Sequence, residues 1–109
     1  MSLSKYRAVW LVAMFDLPMK TKRERKEYTQ FRTTLLQRGF TMLQFSVYAR
    51  YCPSEEASHT HRNHLARILP DRGQVRFMAI TDRQFGKMQV FFGRDRVETE
   101  QPPDQIMLF

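Results

Sequence analysis

The chain has 109 residues, a single Cys, and 18 Lys+Arg against 11 Asp+Glu, for a formal net charge of +7. That length holds one domain of ordinary size, and 42% hydrophobic content with nine Phe, four Tyr and one Trp excludes a disordered tail. The lone Cys52 excludes an intramolecular disulfide and both the Cys₄ and Cys₂His₂ zinc sites, so a reducing cytoplasm is the expected compartment.

Tyr6 to Phe15 is a nearly unbroken apolar run rich in Val, Trp and Phe, which predicts a central strand covered on both faces. Lys5 and Arg7 before it imitate a secretory leader, but the run ends on Asp16 without a small-residue cleavage site. It is also far shorter than the ~20 apolar residues that span a bilayer, so no membrane association is expected. Asp16-Leu17-Pro18 ends the strand, because proline removes a donor and disfavours helix in the residue before it.

Thr21-Lys22-Arg23-Glu24 matches a capping box. The helix it opens is expected to run to about Arg38 and stop at Gly39. Tyr28, Phe31 and Leu35 form its apolar stripe, with Leu36 at the margin. Lys22, Arg23 and Lys26 project to the opposite side, and Arg25 and Arg32 flank the stripe. Residues 20–38 carry seven bases against two acids, so most of the excess charge of the chain sits here. Such a surface attracts polyanions such as nucleic acid, an anionic membrane or an acidic protein; a merely solvated helix face is the plainer reading.

Phe40 to Cys52 is β-rich. Strict alternation would put Leu43, Phe45, Val47 and Ala49 on one face and Met42, Gln44, Ser46, Tyr48 and Arg50 on the other. No turn dipeptide divides it, so one bent strand and two short ones are both open. Pro53-Ser54 opens a second helix ending near Leu69-Pro70, with Ala57, His61, His64, Leu65 and Ile68 as its stripe. Val75–Thr81 follows as a strand, Asp82–Lys87 as a turn or single helical turn, and Met88–Phe92 as a short strand. The tail from Arg94 is polar and proline-containing but ends on Ile106-Met107-Leu108-Phe109. Residues 105–109 are expected to add an edge strand to a partner protomer.

This order predicts an α/β fold, an α+β two-layer sandwich of the ferredoxin-like βαββαβ type with an extra C-terminal strand. Residues 1–93 form the domain and 94–109 the tail. A homodimer through the sheets' open faces is expected.

Asp16 is the first candidate for chemistry. It ends a buried strand, where site residues collect in layered folds, and a carboxylate there suits Mg²⁺, which takes one or two carboxylates and keeps its waters. A polar residue closing a strand before proline would look the same. His61 and His64 have helical i, i+3 spacing, but both fall in the apolar stripe without a third ligand, so packing is the better reading. No glycine-rich phosphate loop is present. Among the aromatics, Tyr48 stands apart on the mixed face and stays open as a base-stacking residue.

Phe15-Asp16-Leu17-Pro18 before a basic capped helix, then Met42-Leu43-Gln44-Phe45-Ser46-Val47-Tyr48, Pro70-x-x-Gly73-x-Val75-Arg76 and Thr81-Asp82-x-Gln84-Phe85, recur in order over residues 6–93. Together they resemble the CRISPR-associated protein two family, the small adaptation protein that works with the spacer integrase, and most of all its members from type II systems. The resemblance implies a ferredoxin-like homodimer and a Mg²⁺- or Mn²⁺-dependent endonuclease acting on RNA or DNA. It also implies a scaffold that holds duplex DNA for the integrase. It places the metal and catalytic aspartate on Asp16, nucleic-acid-binding bases on Arg23, Arg25 and Arg38 beside Lys22 and Lys26, and polar neighbours of the site on Ser46 and Tyr48. A non-catalytic nucleic-acid-binding adaptor with a vestigial metal site is the alternative.

Overall fold

The computed structural model describes residues 7–103. Its elements run β1 (Val9–Asp16), α1 (Lys22–Gln37), β2 (Thr41–Gln44), β3 (Val47–Cys52), α2 (Glu55–Ala66), β4 (Gln74–Thr81), α3 (Asp82–Gly86), β5 (Val90–Phe92) and β6 (Asp95–Val97). The main sheet has strand order β2-β3-β1-β4, with antiparallel pairing throughout. Both helical crossovers lie on one side, so this is the ferredoxin-like arrangement expected from the element order. β5 and β6 form a separate antiparallel hairpin. The expected strand at residues 105–109 lies outside the described residues.

The local signals of α1 act as anticipated. The Thr21 side chain accepts from the Glu24 backbone N–H while the Glu24 carboxylate accepts from that of Thr21. Gly39 takes φ +85° just past the helix end. Tyr28, Phe31 and Leu35 are buried, and with Leu65 of α2 they meet Val9, Leu11, Ala13, Phe15, Tyr48 and Cys52 of the sheet. Leu11, Leu35 and Leu65 are each 0% exposed; burying such a side chain fully contributes about 1.5–3 kcal/mol.

The opposite face of the sheet holds Trp10, Val12 and Ala49, partly covered by Phe85 of α3. The Trp10 and Phe85 rings stack 4.0 Å apart, and the Trp10 indole donates to the Asp82 carboxylate at 2.7 Å. Met14, Leu43, Val47 and Ile80 border this cluster, and Met78 on the neighbouring strand is 47% exposed.

Two open readings are decided and two expectations change. The Phe40–Cys52 stretch is two strands joined by a turn at Phe45-Ser46, with Ser46 at φ +63° and a register shift between Met42 and Gln44. The turn breaks the alternation, so Phe45 leaves the Leu43 face and stacks on Tyr28 of α1. Tyr48 is not free for base stacking: at 1% exposed it is core beneath the helices. In α2 the buried residues are Ser58 and Leu65. His64 is exposed, and so is Ile68, because the helix stops at Ala66, two residues before it.

Candidate active site and basic surface

Asp16 is the last residue of β1 and is exposed, while Phe15 and Leu17 on either side are buried. Strand alternation thus anchors the backbone through its neighbours and turns the carboxylate outward. Two further constraints hold that position. The Phe15 backbone N–H donates to the Ser46 carbonyl at 3.0 Å, and Asp16 pairs with Gln74 at the start of β4. The carboxylate opens on a shallow groove of about 290 Å³ lined by Met14, Asp16, Phe45, Ser46, Gln74 and Arg76.

The Ser46 hydroxyl at this groove shares a hydrogen bond of 3.2 Å with that of the buried Tyr28 on α1. The Phe45 ring, 69% exposed, lies 5.9 Å from that of Tyr28 at 19°. The Arg76 guanidinium donates to the Gln74 amide oxygen at 2.9 Å. Sequence reasoning missed Phe45, Gln74 and Arg76. Alternation puts Phe45 on the Leu43 face, and only the register of β4 against β1 brings the other two beside Asp16. Tyr48 sits behind the groove: it stacks on Phe15 at 5.7 Å, and its hydroxyl accepts from Arg32 Nε at 2.9 Å.

The donor set suits a hard divalent cation in part. Asp16 is a hard oxygen donor, but no group of three His, Cys, Asp or Glu gathers among the described residues. Mg²⁺ needs only one or two carboxylates because it keeps water ligands. One chain supplies one of them. His61 is half-buried and held by Arg38, whereas His64 is exposed and does not pack in the stripe as expected.

The bases on the first turns of α1 differ in how free they are. Arg23 lies 3.3 Å from Glu27 and 3.8 Å from Asp71. Arg25 donates to the Met19 and Lys20 carbonyls at 3.2 and 2.9 Å, tying the helix to the segment that leaves Asp16. Lys22 and Lys26 are exposed and in no ion pair among the described residues. Hydrogen bonds from the Thr21 backbone, outweighing desolvation, hold the Glu24 carboxyl below its ordinary value.

Arg38 is not part of this group, since it caps the opposite end of α1, a helix about 24 Å long. There its guanidinium donates to His61 Nδ1 at 3.0 Å. Burial, with Arg50 and Arg38 next in effect and then His64, lowers the His61 pKa to about 4. Burial likewise pushes the Cys52 thiol up, consistent with an inert core position.

No helix among the described residues is long and apolar enough to cross a membrane. The family model described as CRISPR associated protein Cas2 matches residues 9–88. A protein of Flavobacterium psychrophilum named CRISPR-associated endoribonuclease Cas2 is 45% identical over 107 residues, covering 98% of this chain and 93% of the relative. A relative of the same name from Parvibaculum lavamentivorans is 48% identical over 101 residues, covering 93% and 100%. One from Ligilactobacillus salivarius is 33% identical over 98 residues, covering 90% and 97%. With the ferredoxin-like sheet, the exposed strand-end aspartate and these matches together, the chain belongs to the CRISPR-associated Cas2 family.

Proposed function

We propose that this protein is a cytoplasmic, metal-dependent endoribonuclease of CRISPR adaptation, and that it acts as a homodimer in which two Asp16 carboxylates share one Mg²⁺ or Mn²⁺ across a twofold axis. The observation that carries the reading is the exposed carboxylate of Asp16 on an open groove, held between buried neighbours. The names of the relatives point to RNA as the substrate. Symmetry supplies the second carboxylate that one chain lacks.

A bound divalent ion supplies an activated water and neutralises charge on the phosphate being cut. The chain's own groups bind and orient the strand. Arg76 at the groove wall offers a planar fork to a phosphate. Phe45, already stacked on Tyr28, offers its outer face to a base, a contact worth about 1–3 kcal/mol. Ser46, held by the Tyr28 hydroxyl, donates or accepts beside the carboxylate.

Dimerisation is supported by the apolar, partly open sheet face of Val12, Met14, Leu43, Val47 and Met78. Residues 105–109, outside the described part, are proposed to pair with a free sheet edge of the partner; loss of residues 104–109 should weaken the dimer on dilution, and an unchanged dissociation constant would remove this exchange. The basic surface of Lys22, Arg23, Arg25 and Lys26 supports a further role, holding duplex DNA for the spacer integrase.

The test is cleavage of single- and double-stranded RNA and DNA with Mg²⁺ and with chelator, wild type against Asp16→Asn. RNA cleavage that needs both the metal and Asp16 is expected. Tight binding of nucleic acid without any cleavage would favour the non-catalytic adaptor instead.

A further inference from the structure

About 16 Å along the sheet from Asp16, on the helix-covered face, two arginines converge without an acid. Arg50 of β3 pairs in register with Leu11, five residues before Asp16. Its guanidinium donates from Nη1 to the carbonyl of Arg38, the residue that caps α1. Arg38 in turn donates to His61 of α2. Three elements thus bring two cations and an imidazole together, and no ion pair reaches either arginine among the described residues.

The pair is also incompletely satisfied. Arg38 Nε and Arg50 Nε are both buried and lack a hydrogen-bond partner. Buried donors are almost always paired, and two half-buried guanidinium charges beside one imidazole favour a counter-charge. Gly39, at φ +85° just past the end of α1, lies against the Arg50 guanidinium. His61, neutral beside the two cations, serves as an acceptor that holds Arg38 in place. Both arginines are only half-buried, so the cluster stays open to solvent.

We propose that Arg38, Arg50 and His61 form a phosphate-binding site that takes a backbone phosphate of the bound nucleic acid, remote from the cleavage groove. It rests on the nucleic-acid-binding part of the reading above. Arginine forks match phosphate oxygens two at a time, which supplies the missing counter-charge. Free inorganic phosphate has the same chemistry, and the test separates the two sources.

The experiment uses the full chain carrying Asp16→Asn, so that binding is read without cleavage. Dissociation constants for a short RNA strand and a short DNA duplex are measured over a range of KCl for this protein and with Arg50→Gln or Arg50→Lys added. Arginine Nε–H NMR signals are followed while inorganic phosphate is titrated in. Arg50→Gln is expected to weaken binding about fivefold to tenfold at moderate salt. It should also flatten the log K against log salt slope by about one unit, the loss of one contact. Arg50→Lys should keep most of the slope, which a fold defect in the Gln variant would not explain. Nε–H shifts with phosphate alone, but no effect of Arg50→Gln on nucleic-acid binding, would assign the site to free phosphate and overturn the backbone assignment. Wild-type slope and affinity in Arg50→Gln, with no Nε–H shifts, would overturn the site altogether while leaving nucleic-acid binding intact. No binding of either nucleic acid by the parent protein would overturn the underlying reading, and this proposal with it.

Discussion

Gly73 lies against the backbone of Asp16: a Cβ at position 73 would stand 2.6 Å from the Asp16 carbonyl oxygen and 2.8 Å from Leu17 Cδ2. Gly73 also takes φ +91°, in the left-handed region. The turn that starts β4 therefore packs directly on the end of β1 that carries the candidate metal ligand. A side chain here meets fixed backbone, so it must move either the turn or Asp16.

Gly73→Ala is accordingly expected to destabilise the protein by about 2 kcal/mol, from the strained backbone and the contact together. It should lower cleavage more than the loss of folded protein accounts for. Denaturant midpoints and activity per folded molecule check this. Unchanged stability would mean that the turn shifts freely.

On the α1 surface, Lys22 and Lys26 are exposed and in no ion pair among the described residues, whereas Arg23 is shared by Glu27 and Asp71. Reversing Lys22 and Lys26 together should flatten the salt dependence of nucleic-acid binding by about two units, at roughly −0.9 per duplex phosphate contact. Arg23→Gln should cost less than either lysine. Titrations over a range of KCl decide the order, and a solvated face with no role would leave all slopes alike.

The His61 pKa, lowered to about 4 in the fold, carries a pH signature. The unfolded chain takes up a proton at His61 near its ordinary value of about 6.5, while the folded chain resists it. The stability this supplies is full above pH 6.5 and is lost as pH falls toward 4. Arg50 and Arg38 face the imidazole from β3 and the end of α1, and His64 from its own helix. His61→Gln should flatten the fall in unfolding free energy between pH 6.5 and 4. A fall as steep as in the wild type would place the cause elsewhere.

Much of this molecule was legible where the signal is local. Thr21 and Glu24 cap each other, Gly39 ends the helix, and Tyr28, Phe31 and Leu35 share a face, because each depends only on spacing along a few residues. Asp16 was legible because an abrupt end to an apolar run is visible in one dimension. The hidden parts depend on contacts distant in sequence. Ser46 is an unusual residue for φ +63°, so the turn that redirects Phe45 had no marker. Arg50 reads as one residue of a mixed strand face until the end of α1 meets its guanidinium. The β5–β6 hairpin turns on Gly93 at φ +64°, and its second strand, Asp95–Val97, lies inside what reads as a polar tail.

Sharing of one metal by two Asp16 side chains is tested most directly by subunit mixing. Wild-type protein is re-equilibrated with an equal amount of Asp16→Asn protein so that protomers associate at random. If both carboxylates of a dimer are required, only wild-type pairs cleave, and Mg²⁺-dependent RNA cleavage should fall to about a quarter of that of an all-wild-type sample at the same total protein. Activity of about half would mean that each protomer works alone, and undiminished activity would mean that Asp16 does not hold the catalytic metal.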